Sequence, residues 1–163
     1  MAHFDLSVRA FRPEDADAFA QLNRRWIEEL FGIEKEDERV LNAPQATIVA
    51  PGGHIAIAEI GDEVVGTGAL MVPHNQPTGQ KTLELVKMAT APAAQGNGVG
   101  AAILAFLTQK ARADSVDTIW LETNSKLGAA TRLYERAGFK RLSNAQQRPT
   151  PYARCNLQMV LEL

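Results

Sequence analysis

The residues best suited to chemistry form a glycine-rich turn, Gln95-Gly96-Asn97-Gly98-Val99-Gly100, between an apolar segment and a helical pattern. Glycine tolerates positive φ angles and lets a ligand approach the backbone closely. The free N–H groups in the first turn of the following helix attract negative charge, and phosphate groups commonly bind there. The spacing therefore predicts a phosphate-binding cradle over residues 95–100.

Two other kinds of phosphate-binding loop are less consistent with this turn. A P-loop would need Lys followed by Ser or Thr after its last glycine, but two alanines follow Gly100. The letters of a dinucleotide-binding fingerprint are present from Gly96 to Ala101, and Glu122 follows about 20 residues on, where a ribose-binding acid is expected. However, the preceding strand ends well before Gly96, with Pro92 in between, and too little chain follows for further βαβ units. A glycine turn without any ligand is the third alternative.

The turn also matches the Gln/Arg-x-x-Gly-x-Gly/Ala loop of the GNAT superfamily of N-acetyltransferases, and the chain resembles this superfamily. A second signature follows in the expected order, Leu121-Glu122-Thr123-Asn124 and then Leu133-Tyr134-Glu135-Arg136-Ala137-Gly138-Phe139. The resemblance is strongest over residues 82–142 and extends to 8–72. Two motifs in order are more specific than either motif alone.

The resemblance implies that acetyl-coenzyme A is the co-substrate and indicates its contacts. The pyrophosphate would be held by the turn, that is, by Gln95, Gly96, Asn97, Gly98, Val99 and Gly100. Where the fourth and fifth strands separate, Met88, Ala89 and Thr90 would pair with the pantetheine arm as with an added β-strand. The Met88 N–H would donate to the thioester oxygen and stabilise its developing charge. Asn124, at the end of the fifth strand, would contact the pantetheine.

Two side chains are candidates for proton transfer. Tyr134 occupies the position of the family's tyrosine, and a positioned phenol can protonate or hydrogen-bond a departing thiolate, whose ordinary pKa is about 8.5. The alternative for Tyr134 is simple packing on the inner face of a helix. Glu84 lies on the apolar strand that leads into the site, where burial would raise its pKa and suit it to act as a base. The alternatives are a surface carboxylate paired with Lys81 or Lys87, and a base supplied by water molecules.

Other residues have weaker signals. Two segments resemble an uncharacterised bacterial branch and correspond to the walls of the acceptor site in similar proteins. They contain Trp26, Phe31, Tyr152 and Arg154. For these four residues, plain packing or an ion pair is an equal alternative. Cys155 alternates with apolar residues, which is typical of a small core residue and not of a nucleophile. His54 and His74 lack ligand-like spacing to an acid or cysteine, so no metal site is expected. The charge run from Glu34 to Arg39 is interpreted as a solvated helix face.

Apolar periodicity predicts the elements that position these residues. In chain order they are a strand at 6–12, a helix from Arg12 to Gly32, a short helix at 34–39, strands at 54–60, 63–72 and 82–90, a helix from Val99, a strand at 118–123, a helix capped by Asn124 or Ser125, and strands at 139–142 and 154–163. Gly61-Asp62 predicts a hairpin turn. The order predicts a mixed α/β fold. The resemblance implies a mostly antiparallel sheet of about seven strands with about four helices, splayed between strands four and five.

Composition limits the functional classes. The 163 residues contain no linker or repeat, which predicts a single domain over 1–163. The net charge of −2 gives no general attraction for nucleic acid or an anionic membrane. One cysteine, no signal-peptide pattern and no long apolar run predict a cytoplasmic protein.

The leading hypothesis is an N-acetyltransferase that moves an acetyl group directly from acetyl-CoA to a primary amine. The acceptor is left open between a small amine, an antibiotic, a polyamine, a lysine side chain and a protein N-terminus. The alternative is a non-catalytic acyl-CoA sensor or interaction module, whose mark would be the loss of Tyr134, and Tyr134 is present. A homodimer is common among similar proteins.

Overall fold

Seven strands form one sheet in the order β1-β2-β3-β4-β5-β7-β6 in the computed structural model, which describes residues 5–74, 76 and 79–163. The strands are β1 (Leu6–Ala10), β2 (His54–Ile60), β3 (Glu63–Met71), β4 (Thr82–Thr90), β5 (Thr118–Thr123), β6 (Lys140–Arg141) and β7 (Leu157–Glu162). Neighbouring strands are antiparallel except for β4 and β5, which are parallel. The predicted mixed and mostly antiparallel sheet is therefore confirmed.

Four longer helices cover the two faces of this sheet. They are α1 (Ala16–Leu30), α2 (Lys35–Asn42), α3 (Val99–Ala113) and α4 (Gly128–Arg136). Side chains alternate across β2, so Ala56 joins the apolar cluster under α3, whereas Ile57 joins the cluster under α1 and α2. Within the described ranges, no helix has the length and apolar character needed to cross a membrane.

Two predicted element boundaries near the site are wrong. The predicted caps Asn124 and Ser125 do not begin α4, because the Asn124 side-chain oxygen instead accepts the Lys126 N–H at 2.8 Å in a turn that precedes the helix. The last strand begins at Leu157 and not at 154, because the Cys155 N–H bonds back to the Tyr152 carbonyl. The chain therefore turns over residues 152–156 before it enters the sheet.

Smaller differences occur in the first half of the chain. The first strand ends at Ala10, and the short charged helix extends to Asn42. A single turn of π-helix over Gln45–Val49 follows Pro44. The predicted hairpin between β2 and β3 is confirmed, with Gly61 at φ +60° in its turn.

A bulge and a separation of strands together open the centre of the sheet. Thr67 of β3 lies opposite Ala89, but Ala69 lies opposite Val86, so β4 carries one extra residue. Pairing between β4 and β5 ends at Leu85 and Leu121. The predicted splay between the fourth and fifth strands is confirmed.

The bulge depends on unusual backbone conformation and on close packing. Lys87 has φ +55°, in the left-handed region that most residues avoid. The adjacent Met88 side chain packs directly over Gly68, where a Cβ atom would lie 2.4 Å from the Met88 sulfur. Because only glycine leaves this space, Gly68 helps to fix the position of the bulge.

Candidate active site

A cavity of about 780 Å³ lies at the opening between β4 and β5. Of the residues predicted to bind a cofactor, it is lined by Met88, Ala89, Thr90, Gln95, Gly96, Gly98, Val99, Gly100 and Asn124. Asn97 is not among the lining residues; its side-chain amide donates to the Ala94 carbonyl at 3.0 Å and braces the turn. The structure therefore brings together two predicted regions that are separated by almost all of α3 and all of β5 in the chain.

The glycine-rich turn presents a row of free backbone donors. Gly96 and Gly98 have φ angles of +82° and +76°, which a side chain would strain. The first backbone hydrogen bond of α3 runs from the Ala102 N–H to the Gly98 carbonyl at 3.0 Å. The N–H groups of residues 96–101 have no acceptor within the described part of the chain. No acidic side chain lies in the first turn of α3, so this end is suited to an anion.

The backbone of β4 offers a second binding surface beside that turn. Beyond Leu85, the edge of β4 that faces β5 has no ladder partner among the described residues. An unpaired strand edge presents N–H and C=O groups to any extended chain that carries amides. Met88, Ala89 and Thr90 lie on this edge and line the cavity.

Tyr134 lies on α4 at the wall of the cavity and is 7% exposed. Its ring packs against Phe139 with centroids 5.8 Å apart, and its hydroxyl has no hydrogen-bond partner in the described residues. Burial raises the pKa of Tyr134 to about 12. A phenol with this pKa is a weaker acid than a thiol, whose pKa is about 8.5. The environment therefore favours hydrogen-bond donation to a thiolate over complete proton transfer.

Glu84 is buried on β4 and lines the same cavity. Burial, aided by the nearby charge of Glu122, raises the pKa of Glu84 to about 8. The alternative of a surface carboxylate paired with a lysine is wrong. The Lys87 ammonium binds Asp37 instead, and the Lys81 ammonium donates to the Asp114 carbonyl.

Glu122 is a site residue that the sequence analysis considered only as a possible ribose-binding acid and not as a candidate base. It lies on β5, one residue beyond the last pair with β4, and lines the cavity. Both carboxyl oxygens are buried, and no described residue meets the geometry of a hydrogen bond to them. Burial raises the pKa of Glu122, and the nearby Thr150 hydroxyl opposes this rise. The signal was available, because Glu122 is an acid in an apolar strand, as Glu84 is.

The four residues predicted to wall an acceptor site form one cluster at the cavity. The Arg154 guanidinium lies 4.5 Å from the centroid of the Tyr152 ring and 6.0 Å from those of Trp26 and Phe31. Trp26 and Phe31 contact each other edge to face at 6.4 Å. All four residues line the cavity. These residues therefore pack against one another, and Arg154 also forms an ion pair with Asp37, while all four still line the cavity.

Asp37 holds this cluster and the β4 bulge together. Its fully buried carboxylate accepts two hydrogen bonds from Arg154, at 2.6 and 2.8 Å, and one from the Lys87 ammonium at 2.5 Å. Burial alone would raise the pKa of Asp37, but these two cations outweigh it and lower the pKa to about 2. Glu34 also contacts Arg154, at 3.3 Å. The prediction of a solvated charge run over 34–39 is therefore wrong for Asp37.

The remaining candidates are Cys155, His54 and His74. Cys155 is half-buried beside the cavity and precedes β7, so its predicted place on the apolar face of that strand is wrong. Burial raises the pKa of its thiol to about 12, which suppresses the reactive thiolate. His54 contacts Asp114, and His74 contacts Glu36. The described residues contain no cluster of three or more His, Cys, Asp or Glu side chains that could hold a metal.

Known proteins resemble this chain in sequence and in fold. A family model described as the acetyltransferase (GNAT) family matches residues 14–139, which is more than half of the chain. The chain belongs to the GNAT family. The match spans the glycine-rich turn, the splayed strands and Tyr134, whereas Tyr152, Arg154 and Cys155 lie beyond it.

Individual GNAT relatives extend the comparison. A mycothiol acetyltransferase from Sanguibacter keddieii is 32% identical over 152 residues, which cover 90% of this chain and 47% of that protein. The chain spans about half the length, or less, of the curated relatives it matches. An acetyltransferase of the GNAT family from Staphylococcus aureus Mu50 superposes with a TM-score of 0.83 at 17% identity, covering 96% of this chain and 98% of that one. A putative acetyltransferase from Salmonella typhimurium, solved with its cofactor acetyl-CoA, gives a TM-score of 0.75 at 18% identity, with 96% and 93% covered. These structures show that the fold is shared.

Proposed function

We propose that this GNAT protein is an acetyl-CoA-dependent N-acetyltransferase that transfers the acetyl group directly to a primary amine. The observation that carries the proposal is the run of free N–H groups over residues 96–101 beside the unpaired edge of β4. One surface suits a pyrophosphate and the other suits a chain of amides, in the order in which coenzyme A carries them. The acetyl-CoA bound to the Salmonella neighbour supports this choice of co-substrate.

The residues present fit acetyl-CoA along its length. The pyrophosphate would lie against Gln95, Gly96, Asn97, Gly98, Val99 and Gly100, with Asn97 acting through the brace it gives the turn. The pantetheine arm would pair with Met88, Ala89 and Thr90. Asn124 would add a side-chain contact, although its amide already donates to the Arg154 carbonyl at 2.7 Å. The donor set is made largely of backbone groups, so it does not depend on a basic patch.

In the proposed reaction, the amine nitrogen bonds to the thioester carbon, the carbon–sulfur bond breaks, and the amine loses one proton. The Met88 N–H would stabilise the charge that develops on the thioester oxygen. Tyr134 would donate a hydrogen bond to the departing sulfur. Trp26, Phe31, Tyr152 and Arg154 would wall the acceptor.

The proton of the amine has two candidate acceptors. We propose Glu84 as the base because its raised pKa lies close to working pH, which suits a group that must take up and release a proton. Glu84 precedes Met88 by four residues, about 13 Å in an extended strand, so Glu84 would act through intervening water. Glu122 lies nearer to the separation of the strands and is the rival base.

The wider setting of the protein rests on the sequence alone. We propose a single catalytic domain over 1–163, a cytoplasmic location, no metal requirement, no nucleic-acid or membrane partner, and a homodimer as the assembly to test first. The proposed direct partner is the amine acceptor.

The decisive experiment is release of free thiol from acetyl-CoA in the presence of a panel of primary amines, with NAD binding measured in parallel. Thiol release that requires both an amine and the wild-type protein supports the proposal. Binding of acetyl-CoA without turnover on any amine would favour a non-catalytic sensor. Binding of NAD but not of acetyl-CoA would favour the dinucleotide alternative and contradict the proposal.

A further inference from the structure

A second cavity, of about 240 Å³, adjoins the site on the far side of Glu84. Glu84 lines both cavities. The other polar residues that line the second cavity are Trp120, which lies opposite Glu84 in the β4–β5 ladder, Arg148, His74 and Thr150. Three prolines complete the walls. A molecule in this cavity would therefore lie beside a carboxyl group that also faces the proposed reaction site.

Two residues that line the second cavity each carry a buried donor that nothing in the described chain satisfies. Trp120 is 4% exposed, and its indole Nε1–H has no acceptor. The Nη1 atom of Arg148 is also buried without a partner. The Arg148 guanidinium lies over the Trp120 ring at 5.3 Å, and Arg148 forms no ion pair with a described acid. Buried donors are nearly always paired in native proteins, so two unpaired ones at a shared cavity indicate an acceptor that binds there.

Arg148 is held in place before any ligand arrives. Its N–H donates to the Gln158 side-chain oxygen at 2.8 Å, and its carbonyl accepts the Gln158 amide at 2.7 Å. Gln158 is itself buried on β7. Pro149 and Pro151 restrict the backbone that follows. The backbone that carries Arg148 is therefore fixed, and the guanidinium is positioned by its contact with the Trp120 ring, which reduces the conformational freedom lost when an anion binds.

The charges around the second cavity also suit an anion. Glu84 is the carboxyl group in its wall, and with a pKa of about 8 it is uncharged at neutral pH. His74 is bound to Glu36 at 3.0 Å. The fixed positive charge of Arg148 is therefore the main charge facing the space at neutral pH, and it would repel the second ammonium of a polyamine.

We propose that this cavity binds a carboxylate of the acceptor, so that the acceptor is a small amino acid-type compound with both a primary amine and a carboxylate. The inference rests on the proposed acetyltransferase function. The carboxylate accepts from Trp120 Nε1–H and Arg148, and the amine extends past Glu84 into the larger cavity. The volume is several times the ~30 Å³ of one water molecule, enough for a carboxylate and a few carbon atoms but not for a folded protein terminus.

The kinetic test compares each amino acid with its uncharged amide, using 8-aminooctanoate with 8-aminooctanamide and 10-aminodecanoate with 10-aminodecanamide. These long chains are needed because a molecule that extends from the second cavity past Glu84 to the thioester beside Met88 must span about 10 Å or more. For at least one pair, the wild type should prefer the acid in kcat/KM by about tenfold or more. Arg148→Gln should remove that preference while changing the rate on the amide by less than about threefold. Trp120→Phe, which removes the N–H donor together with part of the ring, should also reduce the preference. The exposed Arg141→Gln serves as the matched control and should leave the preference unchanged.

A binding test separates failure of this inference from failure of the proposed function. The chain has two tryptophans, so the indole N–H signal of Trp120 is assigned in a ¹⁵N spectrum by its loss in Trp120→Phe. Titration with 8-aminooctanoate or 10-aminodecanoate should shift the Trp120 signal in the wild type and should lose this effect in Arg148→Gln. A shift without turnover would uphold the carboxylate site and overturn only the acetyltransferase. Turnover with no acid preference, or no Trp120 shift with either amino acid, would overturn the carboxylate site.

Discussion

The two halves of the active-site cavity differ in the chemical groups that line them: backbone groups line one half and side chains line the other. The half around the glycine-rich turn and β4 consists mainly of free backbone groups, those of residues 96–101 and of the unpaired strand edge. The opposite half consists of side chains held by ion pairs and rings, with Asp37 at the centre. A backbone site depends on local chain geometry and suits an invariant co-substrate. A side-chain site changes with single residues and suits an acceptor that differs between relatives.

The largest expected effect lies in the side-chain half. Asp37→Ala leaves Lys87 and Arg154 without their shared carboxylate, and loss of one member of a buried charge cluster typically costs about 3–5 kcal/mol of unfolding free energy. Urea unfolding at pH 7 measures this change. The matched control is Glu38→Ala in the same helix, which removes an exposed pair with Arg24 and should leave the midpoint nearly unchanged. Equal effects of the two substitutions would show that the Asp37 cluster does not support the structure.

The Tyr134→Phe substitution tests the proposed hydrogen bond from Tyr134 to the departing sulfur. We expect kcat to fall about 100-fold, because the departing sulfur loses its hydrogen-bond donor, whereas the affinity for acetyl-CoA should change by less than about threefold. The Phe139 contact is kept by a phenyl ring, so the unfolding midpoint should stay close to that of the wild type. Steady-state kinetics and calorimetry give the two numbers. An unchanged kcat would remove Tyr134 from the reaction.

The two buried carboxyl groups are distinguished by the pH dependence of the rate. With Glu84 as the base, kcat/KM rises with pH until Glu84 ionises near pH 8. Glu84→Gln should lower the rate about 10- to 100-fold and abolish this rise, whereas Glu122→Gln should retain it. The opposite pattern would assign the base to Glu122. A rise that persists in both variants would indicate that neither carboxyl group accepts the proton.

A smaller effect of Glu84 is expected on stability. The pKa of Glu84 is about 8 in the folded protein, compared with 4.5 for an ordinary glutamate in the unfolded chain. Between these two pH values the folded chain therefore binds more protons than the unfolded chain. The stabilisation is therefore fully present below pH 4.5 and is lost as pH rises through 8. Thermal unfolding at pH 6 and pH 9 should show a steeper loss for the wild type than for Glu84→Gln. Parallel losses would mean that Glu84 ionises normally.

The two halves also differ in how far the sequence could predict them. The turn at 95–100, the hairpin and the separation of β4 from β5 follow from short segments or from the family resemblance, and the structure has all three. Asp37 meets Arg154 across 117 positions in the chain, and no local pattern marks that contact. The same holds for Arg148, which meets Trp120 only because β7 and its preceding loop fold back beside β5.

Helix and strand ends were predicted less well where side chains compete for the backbone. Asn124 has the composition of a helix cap, but its amide is used in a turn and in a bond to the Arg154 carbonyl. For Glu84 the prediction from composition is confirmed: an acidic residue in an apolar strand is expected to be buried with a raised pKa, and it is. Composition therefore predicts burial more reliably than it predicts which hydrogen bond a polar side chain makes.

The most direct test of the backbone-built half is calorimetric titration of acetyl-CoA into the wild type, Gly98→Glu and Gly61→Glu. Both glycines have positive φ and open surroundings, so the two substitutions bring similar backbone strain, but only Gly98 lies in the turn. We predict that Gly98→Glu weakens binding at least about 100-fold, because a carboxylate and a distorted backbone replace the anion cradle. Gly61→Glu should bind within about threefold of the wild type. Equal affinity in all three proteins, or equal loss in both variants, would contradict the assignment of residues 95–100 as the phosphate cradle.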